Sequence, residues 1–452
     1  MKYVIVGTSH AGYEAAQTIL KQAPEAEIHL YERGQHPSFL SCGIQSYLEG
    51  ISQSLDQIHY ANEASYKKQG INIHINSDVT SFDADNKTVT VETADGSHQE
   101  SYDKLIISPG GSASQLNIPG KDLDNVYFLR GREWAGKVKE RMSEAKKAVV
   151  IGAGYIGIEA VEAFAKAGID VTVIDVCPSV LYTYLDQEFI EKINKTLTDH
   201  GVTIKTGESV EEITGQDGLV SGVKTDKATY KADTVLMTAG MTPNTGWLKG
   251  LVEMDDRGFV KVDSHMQSSV EDVYVAGDAT LIPFGPTGEK VSIALATTAR
   301  RQGVIAALSA LGHEANIRPV QGTSGLTLFE YHFATTGIKD SNADQYQGQV
   351  ASKYIEMQKL PDFMADDTQI FAKIHFDAES HRILGGQMMS TADITDSVNT
   401  LSLAIDAHYT LEDLAQQDFF FQPGYDKPWH YLNVLAIEAL GAEVTGADKM
   451  IF

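Results

Sequence analysis

The chain has 452 residues, 42% apolar and 21% charged, and its 61 acidic against 36 basic residues give a net charge of -25. It is too long for one core, so two to four domains are expected, and the acidic balance excludes a nucleic-acid or anionic-membrane surface. Two cysteines without a CxxC pair exclude a disulfide scaffold. The opening "MKYVIVGTSHAG" reads as neither a signal nor a transit peptide, and no run of 18 apolar residues occurs, so a cytoplasmic protein without membrane spans is expected.

"KYVIVG" has the unbroken apolar run of a buried parallel strand, "HAGYEAAQTILKQ" has helical spacing, and "AEIHLYE" is a second strand. The same order returns in "AVVIGAGYIGIEAVEAFAKAGIDVTVID", residues 148–175. Between the two units, "GINIHINSDVTSFDADNKTVTVETADG" reads as an antiparallel meander and "YDKLIISPGG" as a closing strand. Residues 202–240 repeat that meander and strand. "EDVYVAGDATL" and the alanine-rich helix "SIALATTARRQGVIAALSA" follow. Beyond about residue 320, "FAKIHFDAESHRILGGQMMS" reads as a hairpin and "SVNTLSLAIDAHYTLEDLAQ" as helical. The fold class expected is α/β, with two Rossmann-like nucleotide-binding domains and a C-terminal α+β domain.

Gly152, Gly154 and Gly157 form a full GxGxxG between a strand and a helix. The first permits the tight turn, the second lets a pyrophosphate approach, and the third lets helix and strand pack closely. Asp175 ends the next strand, where an acid suits a ribose 2′-hydroxyl and repels a 2′-phosphate, so NADH is favoured over NADPH. The first unit carries a reduced version: Gly7, Ser9 in place of the second glycine, Gly12, and Glu32 at the end of its second strand. "VYVAGDA" sets Asp278 after a strand-end glycine, free to hold a sugar-like hydroxyl. Two such units and this element point to a flavin and a nicotinamide nucleotide side by side. Cys42 lies just past the first unit in "SFLSCGI", with no second cysteine near it. A single cysteine there can carry oxidising equivalents only as an oxygen adduct or a mixed disulfide.

"GTSHAGYEA", "SFLSCGIQSYLEG", "YDKLIISPG", "VIGAGYIGIEA", "VYVAGDATL" and "FFFQPGYDKPW" together resemble the flavin-dependent NADH peroxidases and water-forming NADH oxidases. The resemblance runs the length of the chain and implies a glutathione-reductase-like fold. FAD-binding segments are then expected at 1–112 and 241–318, an NAD-binding domain at 113–240 and a dimerisation domain at 319–452. It implies that Cys42 cycles between thiolate and sulfenic acid, that His10 assists, and that Glu14 and Arg300 support His10, with Arg301 as the neighbouring alternative to Arg300. It further implies Arg33, Ser41, Gly110 and Ala296 about FAD, and Tyr155, Ile156, Glu159 and Gly240 about NAD, Tyr155 stacking over the flavin and Glu159 meeting the carboxamide. Disulfide-reducing relatives use a His-Pro pair from the partner subunit, whereas Gln422 precedes Pro423 here, which argues against a glutathione-type substrate. Cys177 reads as structural and no metal is expected. The resemblance is nearest to the NADH peroxidases, with hydrogen peroxide as acceptor. Oxygen, coenzyme A disulfide or a redox-sensing role are the alternatives, in a homodimer or homotetramer whose residues 420–430 wall the partner's site.

Overall fold

The computed structural model describes residues 1–442. A five-stranded parallel sheet has the order Val273–Val275, Lys104–Ile107, Lys2–Val6, Glu27–Tyr31, Asn72–His74. Its strands are apolar throughout because helices cover it, and Val4, Ile5, Leu105, Ile106 and Val275 are fully buried. Helices His10–Gln22 and Ala296–Ala310 pack against each other through small residues. A Cβ at Gly303 would stand 2.2 Å from the Ala11 carbonyl oxygen, so that position admits only glycine at this helix spacing.

A second parallel sheet has the order Thr203–Thr206, Asp170–Asp175, Lys147–Ile151, Thr234–Met237, Val126–Phe128. Each sheet carries a three-stranded antiparallel meander, Asp78–Asp83 to Gly96–Ser101 in the first and Val210–Gln216 to Thr229–Lys231 in the second. The sequence reading placed "INIHI" and "VTIKT" in those meanders. Instead Asn72–His74 and Thr203–Thr206 are edge strands of the parallel sheets. A three- or four-residue strand has the same alternation in either setting, and its neighbour lies about forty residues back in the chain.

The chain crosses between the two sheets twice, and the crossings, Gly111–Ala113 and Met241–Pro243, pair antiparallel. The C-terminal part is a five-stranded antiparallel sheet of order Ser324–Leu328, Tyr331–Gly337, Ile383–Ser390, Gln369–Asp377, Val350–Gln358. The expected hairpin is its central pair, and the expected helical stretch is two helices, Asp396–Asp406 and Leu411–Ala415, with Tyr431–Ala439 beyond. No helix among the described residues is long and apolar enough to cross a membrane.

Candidate active site

The strands of both parallel sheets end on one cleft of about 1910 Å³. Ligands of open α/β sheets sit at this carboxyl end of the strands. Gly7 and Gly152 begin equivalent turns with φ +93° and +105°, a left-handed conformation that favours glycine. Behind them a Cβ at Gly12 or Gly157 would stand 1.9 Å from the carbonyl oxygen of Gly7 or Gly152, so these two glycines bring helix onto strand. Neither helix has a side-chain cap at its N-cap residue, Ser9 or Gly154, and both open on the cleft. Their first N–H groups and positive dipole ends suit phosphate. Helix Ala296–Ala310 is likewise uncapped and presents Leu295, Ala296 and Thr297 to the same cleft.

Acids stand where the second strand of each unit ends. Glu32 accepts from the Thr8 hydroxyl and, at 2.9 Å, from the Gly34 N–H. The Asp175 carboxylate accepts from the Ala153 N–H at 2.6 Å and the Cys177 N–H at 2.7 Å, locking the second glycine turn to its strand. Burial, with the Asp175 charge beside it, pushes the Cys177 thiol up, as suits an inert cysteine. Asp278 pairs with Arg130 at 2.6 Å. Arg33, Ser41, Gly110, Ile156 and Gly240 also line the cleft.

Cys42 sits on the short turn Ser41–Gly43 that leads into helix Ile44–Leu48. The turn is pinned to residue 58: the Leu40 N–H donates to the Ile58 carbonyl at 2.8 Å, and Gly43 lies too close to the Ile58 side chain for a Cβ. Cys42 is exposed to the cleft, yet desolvation by the surrounding walls and then the Glu159 carboxylate push its thiol up, while Arg130 and the residue's own N–H draw it down. The surrounding side-chain charges set Arg130 against Glu159 and Asp278.

His10 opens the first helix. Its Nδ1 accepts from Arg300 Nε at 3.3 Å, and its ring stacks on Tyr60 at 5.3 Å between centroids. Burial and then the Arg300 guanidinium hold the imidazole below its usual range, so it is neutral with its proton on Nε2. Arg300 also pairs with Glu14 and lies over the rings of Tyr13 and Tyr60, at 5.3 and 4.9 Å. Arg301 is exposed. His10 lines the cleft, whereas Glu14 and Arg300 do not and meet it from behind. Tyr155 stacks on Tyr184 at 3.9 Å, and its hydroxyl lies 3.1 Å from Ser324 Oγ of the C-terminal sheet. Burial, then Glu162 and Glu49, push the Glu159 carboxyl up to about 7.

Sequence reasoning missed Arg130, Tyr60 and Tyr184. Arg130 had a signal in its position, just beyond the strand Val126–Phe128 whose end meets the cleft. Tyr60 and Tyr184 lie in loops with no motif. Among the described residues the one group with metal-ligand spacing is Asp186, Asp340 and His375, and the Lys373 ammonium already lies 3.2 and 2.7 Å from its two carboxylates.

A fold of two nucleotide-binding units opening on one cleft is the class of protein defined here, and the chain belongs to the pyridine nucleotide-disulphide oxidoreductases. That family's model matches residues 1–303, and the model of its dimerisation domain matches 323–431. An NADH oxidase of Enterococcus faecalis is 39% identical over 443 residues, covering 97% of this chain and 99% of that protein. The structure of a water-forming NADH oxidase from Lactobacillus brevis bound to NADH superposes with a TM-score of 0.95 at 38% identity, covering 98% of both chains. Its engineered form, a water-forming NADPH oxidase bound to NADPH, superposes equally well, with the same identity and coverage. The chain is an oxidoreductase of the flavin NADH oxidase and peroxidase group.

Proposed function

We propose that the protein is an FAD-dependent NADH oxidase that reduces oxygen to water and completes that reduction at Cys42. The observation that carries this reading is that Cys42 lines one cleft with both nucleotide turns and lies within the influence of the Arg130 cation, whereas Cys177, on the same cleft, has the Asp175 carboxylate beside it. Segments 1–112 and 241–318 form the FAD-binding domain, 113–240 the NAD-binding domain and 319–452 the dimerisation domain. The glycine turns and uncapped helices hold the two pyrophosphates, Glu32 and Asp175 take ribose hydroxyls, and Asp278, fixed by Arg130, takes a flavin-chain hydroxyl. FAD, when bound, supplies two-electron transfer between NADH and the acceptor.

The chain's own chemistry begins at the peroxide level. One NADH and one proton reduce oxygen to hydrogen peroxide. The Cys42 thiolate then attacks a peroxide oxygen; the S–O bond forms as the O–O bond breaks, and hydroxide leaves. Neutral His10, held by Arg300 through Nδ1, turns its Nε2–H to that leaving oxygen. A second NADH returns Cys42 sulfenic acid to thiolate, its hydride and the sulfenic hydroxyl leaving as water. In sum two NADH, two protons and one oxygen give two NAD+ and two waters. Peroxide as the sole acceptor, the expectation from sequence, uses the same Cys42 step. The oxygen reading is supported by the E. faecalis and L. brevis relatives, both named NADH oxidases.

Oxygen uptake against NADH consumption tests this. Wild type is expected to use two NADH per oxygen and release no peroxide, and Cys42→Ser one NADH per oxygen with peroxide accumulating. Turnover that requires added peroxide and takes up no oxygen would make the protein a peroxidase. Cys42→Ser at two NADH per oxygen would remove the thiol from the mechanism.

A further inference from the structure

One turn beyond Glu159, the same helix carries a second acid, Glu162, which is 1% exposed. Three parts of the chain meet on its carboxylate. Oε2 accepts from Gln45 Nε2 at 2.8 Å, and Gln45 stands on the helix Ile44–Leu48 that directly follows the Cys42 turn. Oε1 accepts from the Phe329 N–H at 2.6 Å, in the tight turn between the first two strands of the C-terminal sheet. Lys166 Nζ lies 2.8 Å from Oε1 and also 2.8 Å from Glu49, to which the Gln45 amide donates in turn at 2.9 Å. The Phe329 ring is fixed by stacking on His200 at 3.7 Å. A buried carboxylate is costly, and an apolar side chain would serve packing alone. What the carboxylate adds is a set of directed bonds that tie its own helix to two other parts of the chain at once.

We propose that Glu162 is a positioning residue for the redox turn, coupling the helix after Cys42 to the nicotinamide-side helix and to the C-terminal domain so that Cys42 and Glu159 keep one fixed arrangement. The proposal rests on the reading of Cys42 as the redox thiol. Its charge acts in the same direction as its bonds. After burial, Glu162 is the largest influence keeping Glu159 protonated, and a protonated Glu159 does not oppose the Cys42 thiolate. Losing Glu162 therefore both loosens the turn and charges its neighbour.

The test is the rate of Cys42 alkylation by iodoacetamide in NADH-reduced, anaerobic holoenzyme between pH 5.5 and 9, with peptide mass spectrometry separating Cys42 from Cys177. Gln45→Ala and Glu162→Gln are each expected to slow Cys42 alkylation at pH 7 by roughly tenfold, the usual scale for a lost hydrogen bond to a charged group. Glu162→Gln should also move the break contributed by Glu159 to lower pH. Single variants that melt earlier but keep the wild-type rate–pH profile would make Glu162 a structural staple only and overturn the proposal. Gln45→Ala, at a half-buried position, guards against a fold defect in the Glu162 variants. Alkylation reports the placement of Cys42 whether or not it turns over, so Cys42→Ser with undiminished water formation would sink the functional reading separately.

Discussion

Glu159 offers a stability test of the cleft's electrostatics. Burial, with Glu162 and Glu49 nearby, lifts its carboxyl from an ordinary 4.5 to about 7. The folded protein therefore binds a proton that the unfolded chain releases, and stability falls as pH rises from about 4.5 to about 7 and is level above that. At about 1.4 kcal/mol per pKa unit the cost above pH 7 is about 3 kcal/mol. Glu159→Gln keeps the shape and removes the titration. It should leave the melting temperature unchanged at pH 4.5 and raise it at pH 8.5, by about 3 °C for a chain of this length unfolding in one step. Calorimetry of FAD-loaded wild type and variant across that range measures the difference. A difference independent of pH, or a variant less stable than wild type at pH 8.5, would refute the reasoning. Glu159→Gln and Glu162→Gln should also be less than additive at pH 8.5, since each relieves the same repulsion.

Asp175→Ala removes the carboxylate that closes the turn and that, in the proposed function, takes a ribose hydroxyl; kcat/KM should fall for NADH and the preference over NADPH should shrink by about tenfold or more. Arg300→Met takes the cation from His10 Nδ1, so carbon-13 NMR of labelled histidine should show the His10 pKa rising yet staying below the ordinary value, because burial, the larger cause, remains; an unmoved titration would discount the Arg300 contact. Phe420 and Phe421 are 74% and 44% exposed beside Tyr425 at 63%, and a Phe420→Asp, Phe421→Asp double variant should sediment as a smaller species with reduced turnover. A fully active variant sedimenting like wild type would place the oligomer contact elsewhere.

The two glycine turns were legible because everything they need lies within a dozen residues: strand, glycines at fixed offsets and helix. Asp175 and Glu32 were legible for the same reason, one strand further on. Cys42 needed the resemblance, since "SFLSCGI" has no intrinsic mark of reactivity, and His10 was readable only as a helix-end residue. What stayed hidden reaches the cleft across long stretches of chain. Arg130 meets Asp278, 148 residues on, whereas the Arg300–His10 contact, across 290, was foreseen only through the resemblance. Gln45 meets Glu162 across 117, and both read as ordinary polar positions on helices. The edge strands were misplaced because a parallel partner leaves no turn signature beside the strand it pairs with.

The first parallel sheet is closed by Val273–Val275, which pairs with Lys104–Ile107 from the far side of the whole second sheet, and its helix layer is completed by Ala296–Ala310 against His10–Gln22. During synthesis, residues 1–107 emerge with one edge strand and one covering helix still unmade. At about 5 to 20 residues per second, the wait for residue 273 is roughly ten to thirty seconds. The second sheet, contiguous from Val126 to Met237, emerges within that interval with all its partners present. The nascent chain is thus built to fold from its middle outward, with the Lys104–Ile107 edge open until the ribosome has passed the insertion. A holdase or early flavin would exert its effect in that window, and slow codons between residues 240 and 273 would lengthen it.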